Sequence, residues 1–180
     1  MNKEKRMNKI PNIATENLLR SLLRESFLIE GINSKPTMEQ INGTYEFLSL
    51  SIITIYYLEK LTALYEPSAR LRSQEGMDVR IGNYYPIAGG EQVVVHLRNL
   101  LDQINHKQLS SYLAHHEYEK LHPFTDGNGR SGRTLWLRME NIFFSESGLE
   151  KKFSFLHTWY YQSLQNHFSG KLQIRKIENN

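Results

Sequence analysis

The sequence predicts a mainly α-helical domain, a bundle of about six to eight helices with one small β-hairpin. In most segments the apolar residues recur at helical spacing, which is the pattern of helices that each bury one face. One stretch, residues 66–88, loses that period and carries turn residues instead. These two observations favour helix-on-helix packing with a short strand pair inserted.

Length and composition suit one domain with a full core. The chain has 180 residues, of which 39% are hydrophobic and 23% charged, as in ordinary soluble globular proteins. We find no apolar run as long as a membrane span and no signal peptide. The chain contains no cysteine, which excludes disulfides and thiolate chemistry. These absences favour a cytoplasmic protein that does not bind membranes. The net charge of +3 is small and the basic residues are scattered, so we expect no nucleic-acid binding.

Two helical segments are predicted in the first third of the chain. The first spans about residues 15–31 and stops at Gly31, since glycine commonly follows a helix end. Residues 37–40 fit a capping box that starts the second. Its pattern continues to about Tyr65, with Gly43 as a possible break.

Further helices are predicted in the second half of the chain. The clearest runs from Glu91 to Ile104, with its apolar residues on one stripe. Another leads up to His122, a third follows the motif that begins there, and a last one extends from Phe153 to Leu164.

The stretch without helical period is predicted to contain a short hairpin within Met77 to Ala88. Val79, Arg80 and Ile81 form one candidate strand, and Gly82-Asn83 is the candidate turn. On these residues alone, an ordinary surface hairpin is the simplest interpretation.

The most informative stretch runs from residue 122 to residue 133, between two predicted helices. Pro123 disfavours helical geometry in the preceding residue, so the incoming helix should end at about His122. The Gly127-Asn128-Gly129 run tolerates positive φ, which lets successive backbone N–H groups curl into a concave site. The positive end of the next helix would add to it, so we predict an anion site that suits phosphate.

Charged and titratable side chains surround this predicted anion site. Arg130 and Arg133 lie three residues apart, so both can clamp phosphate oxygens. Asp126 would repel a phosphate unless it holds Mg²⁺ that bridges to the phosphates. His122 titrates near neutrality and can take a proton from an attacking hydroxyl. Each residue alone also fits a helix end, a turn or a solvated surface, but the combination favours attack on a nucleotide phosphate.

This stretch resembles the signature of Fic-domain proteins, His-x-Phe-x-Asp/Glu-Gly-Asn-Gly-Arg-x-x-Arg, at every defining position. Residues 114–121 also resemble the helix that precedes the signature in that family. The resemblance implies a Fic-like helical bundle that transfers AMP from ATP-Mg²⁺ to a protein hydroxyl. In the related Doc kinases a lysine stands where this chain has Gly129, so Gly129 favours AMP transfer over phosphate transfer.

The resemblance also implies a role for each residue of the signature. His122 would be the base and Asp126 the Mg²⁺ ligand. The phosphate nest would consist of Gly127, Asn128 and Gly129, and the outer phosphates would be gripped by Arg130 and Arg133. The hairpin, with Val79, Arg80, Ile81 and Gly82, would be a flap that pairs with the backbone of a protein target.

A second motif lies at the end of the first predicted helix. Ser26 and Glu30 are four residues apart and share a face, and a glutamate in the last turn opposes the helix dipole. A solvated glutamate is the ordinary interpretation. The pattern, completed by Gly31, resembles the inhibitory helix of many Fic proteins, which implies that Glu30 pairs with Arg133 and occludes the γ-phosphate of ATP.

We therefore expect an autoinhibited protein adenylyltransferase (AMPylator) with ATP as substrate and Mg²⁺ as cofactor. Residues 1–36 would form the inhibitory segment, residues 37–170 the Fic catalytic core, and residues 171–180 a C-terminal tail. Self-modification and homo-oligomer formation are possible additions to a protein target that docks on the flap. The alternatives are removal of AMP, Doc-like phosphoryl transfer, transfer from another pyrophosphate donor, or a non-enzymatic module that binds nucleotide or a partner.

Overall fold

A computed structural model describes residues 13–140, which form six α-helices and no β-strand. The helices are α1 (Ile13–Ile29), α2 (Met38–Leu48), α3 (Ile55–Tyr65), α4 (Glu91–Asn105), α5 (Ser111–Leu121) and α6 (Asn128–Met139). The predicted mainly α-helical fold class is therefore confirmed. None of the helices in this part of the chain is long and apolar enough to span a membrane.

Helix α6 is the central element and contacts α1, α2, α3 and α5. Nine of its 12 residues are buried. Its second half supplies apolar side chains such as Leu135 and Leu137, whereas its first half buries polar ones such as Arg130 and Arg133. Buried polar groups need hydrogen-bond partners, and the partners of α6 define the candidate site described below.

Helix α1 packs on the same core through one apolar face. Leu19, Leu22, Leu23 and Phe27 are only 0–3% exposed, and the ring of Phe27 meets the ring of Tyr65 edge to face at 6.1 Å. The predicted helix over about residues 15–31 is thus confirmed within two residues at each end. This packing brings the last turn of α1 against α6.

The prediction of one helical pattern from residue 37 to Tyr65 is wrong, because the chain breaks between α2 and α3. The capping box at Thr37 is present and starts α2. The candidate break, Gly43, lies within α2, whereas α2 ends at Leu48. Thr54 then caps α3, accepting a hydrogen bond from the N–H of Tyr57.

Side chains from distant elements stabilise the break between α2 and α3. Asn105 bonds both backbone groups of Ile53, at 2.9 and 2.8 Å. Arg138 donates through Nε to the Leu50 carbonyl at 2.9 Å. These tertiary hydrogen bonds replace those that a continuous helix would make, and local sequence spacing cannot reveal them.

The predicted helices of the second half are confirmed where the structure describes them. Helix α4 matches the predicted Glu91 to Ile104 within one residue, and α5 ends at Leu121 as expected. The predicted helix from Phe153 to Leu164 and the tail at residues 171–180 lie outside the described residues. The proposed boundary at residue 36 stays a prediction.

Candidate active site at the first turn of helix α6

His122 ends α5 in a left-handed backbone conformation, with φ 48° and ψ 63°. Its N–H still donates to the Tyr118 carbonyl at 2.9 Å, so it closes the last turn of the helix. The predicted helix end at this residue is confirmed. Non-glycine residues rarely adopt this conformation, and those that do are concentrated at functional sites.

Asn128 closes the loop that follows His122. Its Oδ1 accepts the Phe124 N–H at 2.9 Å, and its Nδ2 donates to the Phe124 carbonyl at 2.8 Å. Phe124 is buried beneath the loop as a hydrophobic anchor. Because the Asn128 side chain is used to shape the loop, its predicted contact with phosphate would have to come from the backbone N–H.

Gly127 places the start of α6 against α3. Its φ is 74°, and a Cβ atom there would lie 3.0 Å from Thr62 Cγ2 and 3.2 Å from Glu66 Cβ. Both the conformation and the space therefore require glycine. Because glycine has no side chain that could cap α6, the first turn keeps the N–H groups and the positive dipole end that bind anions.

Arg130 extends from this first turn toward the end of α3. Its Nη1 donates to the Tyr65 carbonyl at 2.5 Å. Its Nη2 lies 3.3 Å from Glu66 Oε2 and 3.7 Å from Asp126 Oδ1. The pKa of Glu66 is lowered by its hydrogen bond with Ser68 and then by Arg130, so both partners are charged at neutral pH.

Arg133 extends in a different direction, toward α1. Its Nε donates to Ser26 Oγ at 2.8 Å, and its Nη2 donates to the Ser26 carbonyl at 2.9 Å and to Glu30 Oε1 at 2.6 Å. The Arg133 side chain is 2% exposed and that of Glu30 is 38% exposed. The ion pair between Glu30 and Arg133 that the resemblance implied is present.

The Glu30 carboxylate lies directly against the backbone of α6. A Cβ atom on Gly129 would overlap Glu30 Oε1 and would lie 3.0 Å from Arg133 Nη1. Gly129 is the second residue of α6, so the carboxylate is at the positive end of the helix dipole. Glu30 thus occupies the place where Arg133 and the helix start would together attract an anion.

His122 has a neutral imidazole at pH 7, and the charges of Asp126 and Glu30 both act on it. The pKa of this imidazole is lowered from 6.5 to about 4, chiefly by burial and also by the charge of Arg72. The Glu119 carbonyl, Asp126 and Glu30 oppose that shift. A neutral imidazole at pH 7 has a lone pair that can accept a proton, and Nδ1 is buried, which leaves Nε2 for that task.

Comparison with known proteins agrees with this geometry. The profile of the Fic/DOC family matches residues 52–139, which include α3 to α6 and the loop after His122. The chain is a Fic-domain protein. Proteins of this family generally transfer nucleotide or phosphate groups to proteins, and generally use ATP and Mg²⁺. No curated protein and no solved structure matches the chain significantly.

Asp126 of the Fic domain has the chemistry of a magnesium ligand. Its side chain is 65% exposed, and its Oδ1 accepts the Gly127 N–H at 2.5 Å. Residues 13–140 contain no group of three or more His, Cys, Asp or Glu that could hold a metal ion by themselves. One exposed carboxylate therefore fits a Mg²⁺ ion that takes its remaining ligands from nucleotide phosphates and water.

The predicted β-hairpin at Met77 to Ala88 is wrong as a pair of strands. This segment contains one isolated antiparallel bridge, between Ile81 and Tyr84, whose N–H and carbonyl groups exchange two hydrogen bonds of 2.9 Å. Gly82 has φ 57° and forms the predicted turn. Val79 lies outside the bridge, and Arg80 folds back so that its Nε donates to the Gly82 carbonyl at 2.7 Å.

The two ends of this segment bind other parts of the Fic domain, which explains why the ladder stops. The carbonyls of Met77 and Ile87 accept hydrogen bonds from Arg72, at 3.2 and 2.9 Å. Tyr84 donates through its hydroxyl to the Lys120 carbonyl at 3.0 Å. Arg72 and Lys120 therefore hold the segment in place of the bonds that would extend the pairing of Ile81 with Tyr84 into a longer ladder.

Sequence reasoning missed the residues that support the site from outside the signature. The Tyr65 carbonyl and Glu66 fix Arg130, and Arg72 bonds the carbonyls of Leu121 and His122. None of these residues belongs to a recognisable spacing. One weak indication in the sequence pointed to Arg72 as a residue that supports the site: it is a charged residue within the stretch that lacks helical period.

Proposed function

We propose that this protein is an adenylyltransferase that moves AMP from ATP to a Ser, Thr or Tyr hydroxyl of a protein, and that Glu30 inhibits it. One observation carries the proposal: Arg133 holds the Glu30 carboxylate against Gly129 at the anion-binding start of α6. A carboxylate in that position resembles a bound phosphate in charge and in its hydrogen-bond partners.

The site contains a group for each demand of AMP transfer. The target hydroxyl oxygen attacks the α-phosphorus, the bond from that phosphorus to pyrophosphate breaks, and the hydroxyl proton moves to His122 Nε2. The first turn of α6 and Arg130 stabilise the negative charge that develops on the phosphates. Asp126 would hold Mg²⁺, which neutralises phosphate charge when it is bound.

Inhibition follows from competition for the same partners. A nucleotide phosphate that binds at Gly129 must displace Glu30 Oε1, because a single extra atom on Gly129 would already overlap that oxygen. Once Glu30 is displaced, Arg133 is available to a phosphate oxygen. The enzyme should therefore have low activity as isolated and gain activity when Glu30 is removed.

The proposal is tested by label transfer with Mg²⁺, using ATP labelled at the α- or γ-phosphate and cell lysate as the target pool. Wild type is compared with Glu30→Gly and with a matched control, Glu16→Gln, which removes a carboxylate of α1 that pairs with Arg20. We expect label from the α-position alone, increased only in Glu30→Gly. Label from the γ-position alone would instead identify phosphoryl transfer, and no label from either would contradict the enzymatic proposal.

Removal of AMP is a second candidate, because Glu30 lies close enough to His122 for its charge to raise the pKa of that imidazole. A carboxylate in this position could orient a water molecule for attack on a modified protein. If this is the main reaction, wild type should release AMP from an AMP-modified target and Glu30→Gly should not. Release that is unchanged in Glu30→Gly would exclude this role for Glu30.

A further inference from the structure

Arg72 is a fully buried arginine that bonds four backbone carbonyls, and its side chain is 0% exposed. Its Nε donates to His122 O at 2.7 Å and its Nη2 donates to Leu121 O at 2.9 Å. Its Nη1 donates to Ile87 O at 2.9 Å and to Met77 O at 3.2 Å. One guanidinium therefore joins the backbone of the candidate base to both ends of the segment from Met77 to Ile87.

The backbone around Arg72 strengthens the same junction. Arg72 N–H donates to the Pro123 carbonyl at 2.9 Å, and the Thr125 N–H donates to the Arg70 carbonyl at 2.9 Å. An antiparallel bridge pairs Leu71 with Phe124 between them. On the other side, the Gly90 N–H donates to the Arg72 carbonyl at 2.9 Å. The backbone of Arg72 is thus bonded to the loop after His122 and to Gly90, which lies three residues beyond the segment.

Burying an arginine without a close carboxylate partner is costly unless its donors are satisfied. Two of the carbonyls that satisfy Arg72, those of Leu121 and His122, belong to the C-terminal end of α5, where carbonyls lack partners within the helix. Capping α5 accounts for these two bonds. Capping does not account for the bonds from Arg72 to Met77 and Ile87, because these two residues lie in the segment and not in α5.

We propose that Arg72 is a positioning residue that holds the segment from Met77 to Ile87 and the backbone of His122 in one fixed relationship. The role of this positioning in catalysis rests on the proposed function, in which the segment would present a target hydroxyl to His122. A shared guanidinium would keep the two at a constant distance, and a reaction between two positioned groups depends steeply on that distance.

The first test measures amide hydrogen exchange in the full chain by mass spectrometry and does not depend on activity. Arg72→Lys keeps the charge but loses the fork that reaches four carbonyls. We expect exchange to accelerate by about tenfold or more both in residues 77–90 and in residues 121–124. The control is Arg70→Lys, because the exposed Arg70 side chain donates to the carbonyls of Pro67 and Ala69 in its own loop and the substitution leaves the backbone bonds of residue 70 in place.

A second variant keeps the test decisive if Arg72→Lys fails to fold. Asp78 is exposed, its Oδ1 accepts the Gly89 N–H at 2.8 Å, and its charge acts on Arg72. Asp78→Ala should loosen the segment without opening the core. Coupling through Arg72 predicts a change in the imidazole NMR signals of His122, and unchanged signals together with faster exchange confined to residues 77–90 would overturn the inference.

An activity measurement then separates positioning from folding. In the Glu30→Gly background, Arg72→Lys should lower kcat for the protein target by about tenfold or more while the Kd for ATP changes less than about twofold. Equal kcat in the presence of faster exchange would contradict the positioning role. If Glu30→Gly itself transfers no label, the proposed function fails, and the exchange and NMR results still decide whether Arg72 couples the two regions.

Discussion

Arg130 and Arg133 begin on the same turn of α6, but the regions that hold them differ in kind. Arg130 is held by the Tyr65 carbonyl at the end of α3, a backbone group that cannot move unless α3 moves. Arg133 is held by the hydroxyl and carbonyl of Ser26 and by the Glu30 carboxylate at the end of α1, and of these partners the partly exposed Glu30 carboxylate can rotate into water. The Arg130 region is therefore framework, and the Arg133 region can exchange one anion for another.

The energetics of α1 show which part of it can move. Its four buried apolar side chains are worth roughly 1.5–3 kcal/mol each, so detaching the whole helix would cost far more than breaking one partly exposed ion pair. We therefore infer that a nucleotide would need to displace only the Glu30 carboxylate. We expect activation to leave α1 packed on the core.

The largest effect is predicted for removal of the candidate base, His122. In the Glu30→Gly background, His122→Ala should lower the rate of transfer by about 10²–10⁴-fold, the usual contribution of a general base. ATP binding should persist, because the imidazole is not part of the predicted phosphate site. His106→Ala, at an exposed residue that follows α4, is the matched control. Transfer that survives His122→Ala would remove the base assignment.

The next prediction concerns the contact between Glu30 and Gly129. In wild type, Gly129→Ala should lower the free energy of unfolding by about 1 kcal/mol, because the new methyl group displaces Glu30 Oε1 and breaks its partly exposed ion pair with Arg133. In Glu30→Gly the same change should be neutral or stabilising, since alanine favours helix over glycine by roughly 0.5–1 kcal/mol. Denaturant unfolding of the four variants measures this coupling. Additive changes would show that Glu30 does not lie against Gly129.

A smaller effect is expected from the hydroxyl that helps to hold Arg133. Ser26→Ala removes the acceptor of the Arg133 Nε bond, which should cost about 1 kcal/mol of stability. It should also weaken the hold on Glu30 and raise AMP transfer a few-fold. A matched change is Ser49→Ala, since that hydroxyl bonds only the Tyr45 carbonyl within its own helix. If the two variants have equal activity, Ser26 does not contribute to inhibition.

The last prediction concerns pH and tests the burial of the candidate base. The pKa of His122 is about 4 in the folded protein and near 6.5 when unfolded, so the unfolded state binds more protons between these values. Stability should therefore fall as pH decreases from 7 toward 4. His122→Gln should lose less stability over that range, as measured by Tm. An unchanged pH dependence would show that burial does not lower the pKa of His122.

The sequence predicted the helical fold class and the reactive turn because both depend on local pattern. Periodic apolar residues defined α1 and α4, and Pro123 with Gly127 defined the loop. The break between α2 and α3 was missed because Asn105 and Arg138 stabilise it from distant positions. The predicted hairpin has less strand pairing than expected for a related reason, since its two ends bond the buried side chain of Arg72 and not each other.

Within the site, the sequence indicated which residues are charged, but their spacing did not indicate which groups they bond. By spacing alone, Arg130 and Arg133 are equivalent, as two arginines near a helix start. Only the structure separates them, because their partners lie in α1 and at the end of α3, more than 60 residues away in sequence. The resemblance to the inhibitory helix supplied the expected partner of Arg133, and nothing supplied that of Arg130.

The most direct test of the central claim is the affinity for Mg²⁺-ATP, measured by calorimetry on wild type, Glu30→Gln and Glu16→Gln. If Glu30 and a nucleotide phosphate compete for Arg133 and the first turn of α6, Glu30→Gln should lower the Kd by about 5–150-fold. Glu16→Gln should leave the Kd unchanged. Equal Kd values in all three proteins would contradict the claim that Glu30 occupies the phosphate site.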